Sequence, residues 1–134
     1  MNLTTKGRYA VMAMADLATQ TGTSRLADIA ARQHIPHNYL EQLFCQLKKH
    51  DLVNATRGVG GGYQITDSNI TVLQVIQAVE ESTKMTKCGA NSTGCVAGEK
   101  CLTHDIWDGL EQRIEHYFAA ITLDDISKKQ LATI

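Results

Sequence analysis

Two short helical segments joined by a tight turn, a glycine-rich loop with one arginine between two short β segments, and a late helix with a heptad seam mark this chain as mainly α with a small β-hairpin. The architecture that combines them is a winged helix-turn-helix domain followed by a long dimerisation helix. At 134 residues the chain is one domain, or a compact domain carrying an appendage. Hydrophobic content of 43% beside 20% charged residues suits a soluble globular protein, and no apolar run approaches a membrane span, so no membrane association is expected. The net charge of −1 conceals a polarity: residues 1–67 carry seven Lys/Arg against five Asp/Glu, and residues 68–134 carry six against nine. The front half is the one suited to an anionic partner.

From Lys6 to Thr19, Tyr9, Ala10, Ala13, Met14, Leu17 and Ala18 recur at three- and four-residue intervals, which predicts an amphipathic helix. Gln20-Thr21-Gly22-Thr23 ends it. Ser24 is placed to cap a second short helix, with Leu26, Ile29 and Ala30 inward and Asp28 near the positive end of its dipole. Gln33-His34-Ile35 makes the turn, and Pro36, the one proline, stands where a helix starts. The third helix runs to about His50 and buries a stripe of Leu40, Leu43, Phe44 and Leu47. Its other side carries Asn38, Glu41, Gln42, Cys45, Lys48 and Lys49, the face a major groove would meet.

The chemistry of that face is specific. Gln42 can pair with adenine through both amide atoms, Glu41 can accept from cytosine N4, and Asn38 reaches a base or a phosphate. Lys6, Arg8, Lys48 and Lys49 are phosphate contacts, which set affinity without reading sequence. Strands are expected at Leu52–Ala55 and Tyr63–Thr66, joined by the loop Thr56-Arg57-Gly58-Val59-Gly60-Gly61-Gly62. Its glycines permit close backbone approach, and Arg57 and Gly58 suit a narrow, electronegative minor groove. Nucleotide phosphate binding is the rival, but no Gly-Lys-Ser/Thr follows the glycines, and Tyr63 stands where a dinucleotide fingerprint needs its third glycine.

Val72, Leu73, Val75, Ile76 and Val79 predict a helix over Thr71–Ser82, packed under the wing. Further on, Trp107, Leu110, Ile114, Tyr117 and Ile121 follow a 3-4-3-4 spacing, a seam suited to a second copy of the chain. Thr122 caps a last short helix with acids in its first turn. If the seam dimerises, the double-stranded DNA partner is a pseudo-palindromic operator, with half-sites one or two turns apart.

Between these helices stand Cys88, Cys95, Cys101 and His104, separated by six, five and two residues, in a loop too small-residued to build a core. Three thiolates and an imidazole are a donor set for zinc or an iron-sulfur cluster. The bland alternative is disulfides or buried thiols, but no basic-then-apolar leader follows Met1, so a cytoplasmic setting and a metal site are expected. The absence of a Cys-x₂₋₄-Cys knuckle favours a cluster over zinc. Cys45 is not expected to be a ligand. No paired carboxylates and no nucleophile-base set appear at telling spacing, so neither an enzyme nor a small-molecule substrate is expected.

Leu3-Thr4-Thr5-Lys6-Gly7-Arg8-Tyr9-Ala10, Tyr39-Leu40-Glu41-Gln42-Leu43-Phe44, Arg57-Gly58-Val59-Gly60-Gly61-Gly62-Tyr63 and Lys100-Cys101-Leu102-Thr103-His104 together resemble the IscR-type winged-helix transcription regulators. The resemblance spans nearly the whole chain. It implies a homodimer with one 2Fe-2S cluster per subunit, held by Cys88, Cys95, Cys101 and His104, with zinc as the alternative occupant. It also implies a DNA-binding repressor or activator that controls iron-sulfur assembly genes. It points to Glu41 and Gln42 in the DNA interface, and Tyr39 in the same motif joins the expected contacts. Six residues stand between the first two cysteines where the family has five, and Val59 stands where its wing has proline. The expected organisation is a DNA-binding domain at 1–82, a cluster-binding loop at 83–102, and a dimerisation helix with C-terminal segment at 103–134. Other readings of the same features are a nitric oxide or redox sensor with a different cluster, a zinc-stabilised interaction module, and a small electron carrier.

Overall fold

The structure is a computed structural model that describes residues 5–79 and 101–131. Eight elements follow one another among these residues: α1 (Thr5–Thr19), α2 (Leu26–Gln33), α3 (His37–Lys49), β1 (Val53–Thr56), β2 (Gly62–Ile65), α4 (Val72–Ala78), α5 (His104–Ala119) and α6 (Leu123–Ser127). The two strands form one antiparallel ribbon, with Val53 opposite Ile65 and Thr56 opposite Gly62. Each strand lies within one residue of its expected bounds.

α1 is the hub. Its apolar stripe of Ala10, Ala13, Met14 and Leu17 is buried, and the helix touches α2, α3, α4, α6 and β2. Ile29 of α2 and Leu40, Leu43, Phe44 and Leu47 of α3 complete the core around it. That burial is what turns two individually marginal short helices into a fixed pair.

Both helices of the pair end in a Schellman turn, whose αL residues are His34 at φ 56° and Asp51 at φ 60°. The amide of Ile35 returns to the Ala30 carbonyl at 3.0 Å, and that of Leu52 to Leu47 at 3.0 Å. α2 has no capping side chain: its N-cap is Arg25, and Ser24 is not the cap expected of it. Ser24 is buried and pairs with Tyr63 of β2 as an isolated antiparallel bridge.

α4 ends at Ala78, and it packs on α1, α3 and α5 in place of the expected seat under the wing. Residues 80–82 of the expected helix lie outside the described residues. Local chemistry sets both late starts. Thr71 and Gln74 form a reciprocal capping box on α4, and Thr122 and Asp125 form another on α6. After α5 the chain returns to the body: Leu123 is fully buried in the core that α1 organises, and its amide bonds the Ile70 carbonyl at 2.8 Å. Ile121, expected on the seam, lies beyond α5 and is buried against Val72 and Ile76. The helix ends two residues earlier, so the seam loses its phase there.

On the inner side of α1 the carboxylate of Asp16 is buried. Arg32 meets it with Nη2 to Oδ1 at 2.6 Å and Nε to Oδ2 at 2.9 Å, and the Gln33 amide donates to Oδ2 at 2.9 Å. Burial raises the Asp16 carboxyl, but the hydrogen bonds from Arg32 and Gln33 and the guanidinium charge outweigh it and hold the group below its ordinary value. A folded carboxyl held low contributes fully above the ordinary carboxylate range, and that contribution is lost as pH falls through the lower folded value. Arg32 remains 37% exposed, so screening keeps the pair weaker than a wholly buried one. Asp16→Asn is therefore expected to cost about 2 kcal/mol at neutral pH and to reduce the acid-induced loss of stability. Urea unfolding of both proteins at about pH 7 and about pH 3 measures each effect.

Candidate nucleic-acid interface and metal-ligating turn

α3 presents the face the sequence predicts. Asn38, Glu41, Gln42, Cys45, Lys48 and Lys49 are exposed, and the apolar stripe opposite is buried. Tyr39 is half-buried, edge-on to Tyr9 of α1 with ring centroids 5.8 Å apart. Lys6 is half-buried and lines a shallow recess with Tyr39, Gln42 and Gln46, so the start of α1 is brought beside the middle of α3. Arg8 is exposed on α1. One neighbour was missed by sequence reasoning: His37 Nδ1 lies 3.4 Å from Glu41 Oε1, and the signal for it was the i,i+4 spacing.

The wing projects from the end of α3. Phe44 of α3 meets Tyr63 of β2 in a T-shaped contact with centroids 4.9 Å apart, which couples the recognition helix to the ribbon. Arg57, Gly58, Val59 and Gly60 at the tip are all exposed. The Gly61 amide closes the turn on the Gly58 carbonyl at 2.9 Å. Arg57 therefore stands exposed where β1 enters the tip turn, with Val59 the one other large side chain there.

The carbonyl of Cys101 accepts the amide of His104 at 3.1 Å, so one turn joins them at the start of α5. Both residues are half-buried, and the Cys101 sulfur lies 3.4 Å from Thr103 Oγ1. Thr103 Oγ1 also accepts from the Trp107 indole at 3.2 Å. Thr103 is the N-cap, though its side chain makes no cap hydrogen bond. Among the described residues no three His, Cys, Asp or Glu side chains gather where they could hold a metal; Cys88 and Cys95 lie outside them. What the turn establishes is a thiol and an imidazole at one helix end, both half-buried, which fits part of a soft-metal or cluster donor set.

α5 carries its apolar side chains toward solvent. Ile106 is 60% exposed and Tyr117 43%, with Trp107 and Leu110 exposed between them. Its contact within the body is with α4. Among the described residues no helix is long and apolar enough to cross a membrane.

A helix-turn-helix whose second helix has a buried stripe and a polar outer face, followed by a basic-tipped ribbon, defines a winged-helix DNA-binding regulator. Residues 3–129 match the Rrf2 family, described as iron-dependent transcriptional regulators. The chain belongs to the Rrf2 family and is a transcriptional regulator of the IscR type, not an enzyme. The regulator IscR of Xenorhabdus nematophila is 47% identical over 134 residues, covering 97% of this chain and 81% of its own length. IscR of Klebsiella pneumoniae is 48% identical over 134 residues, with 97% and 82% covered. Among solved structures, T. potens IscR matches with a TM-score of 0.79 at 33% identity, over 96% of this chain and 88% of that one. CymR (YrzC), the global cysteine regulator of B. subtilis, matches with a TM-score of 0.82 at 26% identity, over 96% and 98%.

Proposed function

We propose that the protein is a cytoplasmic homodimer that binds a pseudo-palindromic operator and chooses its DNA according to whether a 2Fe-2S cluster is bound to each subunit, so controlling iron-sulfur assembly genes. The observation that carries this reading is the Cys101–His104 turn at the head of the helix whose apolar stripe is exposed. The similarity to IscR proteins along 97% of the chain supports it.

Cys101 and His104 would hold the cluster together with Cys88 and Cys95, in an organisation of DNA-binding domain (1–82), cluster-binding loop (83–102) and dimerisation segment (103–134). When bound, the cluster supplies iron-thiolate and iron-imidazole bonds whose survival depends on iron supply and oxidant. The rest of the device belongs to the chain. α5 touches α4, α4 touches α1 and α3, and α1 sets the pose of the DNA-facing pair. A second copy on the Trp107, Leu110 and Tyr117 stripe would place two α3 helices in successive major grooves. Glu41 and Gln42 would then read base edges, with Asn38 and Tyr39 beside them. Lys6, Arg8, Lys48 and Lys49 would neutralise phosphates, and Arg57 with Gly58 would enter the minor groove.

Leu110→Glu is expected to convert the dimer to monomer and to weaken operator binding at least tenfold, which sedimentation and a binding titration check. Gln42→Ala should cost about 1–3 kcal/mol and relax preference at one base position, whereas Lys48→Ala should weaken all sequences alike and reduce the salt slope by about one. Anaerobic purification should yield about two irons and two sulfides per chain, with His104→Ala altering the visible spectrum. Stoichiometric zinc without visible absorbance would replace the sensor with a structural clip and leave the DNA-binding half standing.

A further inference from the structure

The wing tip is held from outside its own hairpin. Thr23, in the turn between α1 and α2, donates its hydroxyl to the carbonyl of Gly60 at 2.7 Å, across 37 residues of sequence. Ser24 beside it bonds Tyr63 in both directions, at 2.9 and 2.7 Å. Gly62 lies so close to this segment that a Cβ there would stand 2.5 Å from the Ser24 carbonyl oxygen, and its φ of +148° independently favours glycine. In the ribbon, the end of β2 nearest the tip loop is thus locked by paired backbone and close approach.

Its tip has far less to hold it. Nothing lies within 4 Å of where side chains at Gly58 and Gly60 would begin, at φ +94° and +77°. Arg57 and Val59 point into solvent-exposed space, and a ribbon with four-residue strands is marginal without outside contacts. A glycine-flanked tip samples many backbone states, each of which must be given up when a groove is entered. The hydroxyl of Thr23 narrows that choice before DNA arrives.

We propose that Thr23 is a positioning residue for DNA reading: its hydroxyl holds the Gly60 carbonyl and so fixes the pose of Arg57 relative to α3. This rests on the reading of the wing as a DNA contact. Thr23 touches no DNA in this arrangement; it acts through the tip. Its neighbour Ser24 accepts from Arg32 Nη2 at 3.2 Å, so the anchor point is itself tied to the buried Asp16 pair.

Thr23→Val keeps the shape and removes the donor, while Thr23→Ser keeps the donor. With a duplex selected from a random library by the full chain, Thr23→Val is expected to weaken binding about fivefold and Thr23→Ser by less than about twofold, at unchanged thermal midpoint. In the free protein, amide exchange at Gly61, which closes the tip turn, should quicken in Thr23→Val alone. In an Arg57→Ala background the Thr23→Val loss should vanish, because the hydroxyl acts through that arginine. Unchanged affinity of Thr23→Val beside a weakened Arg57→Ala overturns the proposal while leaving the wing reading intact. An undiminished Thr23→Val loss in the Arg57→Ala background also overturns it, since that is a general structural effect. An unaffected Arg57→Ala removes the wing reading and the proposal with it.

Discussion

A carboxylate buried on the inner side of the hub helix has to be neutralised where it stands, and in this protein the neutralising partner is what sets the DNA-facing half in register. Asp16 lies in α1, Arg32 and Gln33 in α2, and the same guanidinium reaches Ser24, which bridges Tyr63 of the wing. Replacing such a pair with apolar residues can be harmless to stability, but losing Arg32 leaves the Asp16 charge stranded in the core. The bidentate geometry adds directional specificity to the contact that apolar packing makes between α1 and α2. Because α3 follows α2 through three residues, orientation passes directly from the ion pair to the recognition helix.

The second constraint is the coupling of recognition helix to wing. Phe44 sits at the centre of the core and meets Tyr63 edge to face, while Ser24 closes the other side of β2. β2 is therefore held from both sides, by an aromatic contact on one and a backbone bridge on the other. These contacts fix the separation of α3 from the wing within the free chain.

The late part of the chain divides its work by burial. α6 returns to the body, where Leu123 fills a place in the core beside α1. α5 leaves Ile106, Trp107, Leu110 and Tyr117 outside. Contiguous exposed apolar side chains on one helix are costly in water unless covered. That stripe begins directly after Cys101 and His104, with His104 as the first residue of the same helix.

Features determined by neighbours within one turn of helix were legible in the residues alone. The buried stripe of α3, its polar outer face, the proline at its start and the Thr122 cap all follow from 3.6-residue periodicity or from capping chemistry between residues three apart. The glycine-rich wing was legible because so few backbones need that many glycines beside an arginine. Other features waited for the tertiary structure. Ser24 before a helix looks like a cap by local rules, yet the unpaired edge of β2 claimed it, since buried backbone groups must be bonded. Ile121 continues a heptad spacing, but α5 stops at Ala119 and the core takes the side chain. Asp16 with Arg32, and Thr23 with Gly60, join residues 16 and 37 positions apart. Polar pairings at that separation leave no periodic trace, because their partners become neighbours only after apolar burial has brought the helices and the wing together.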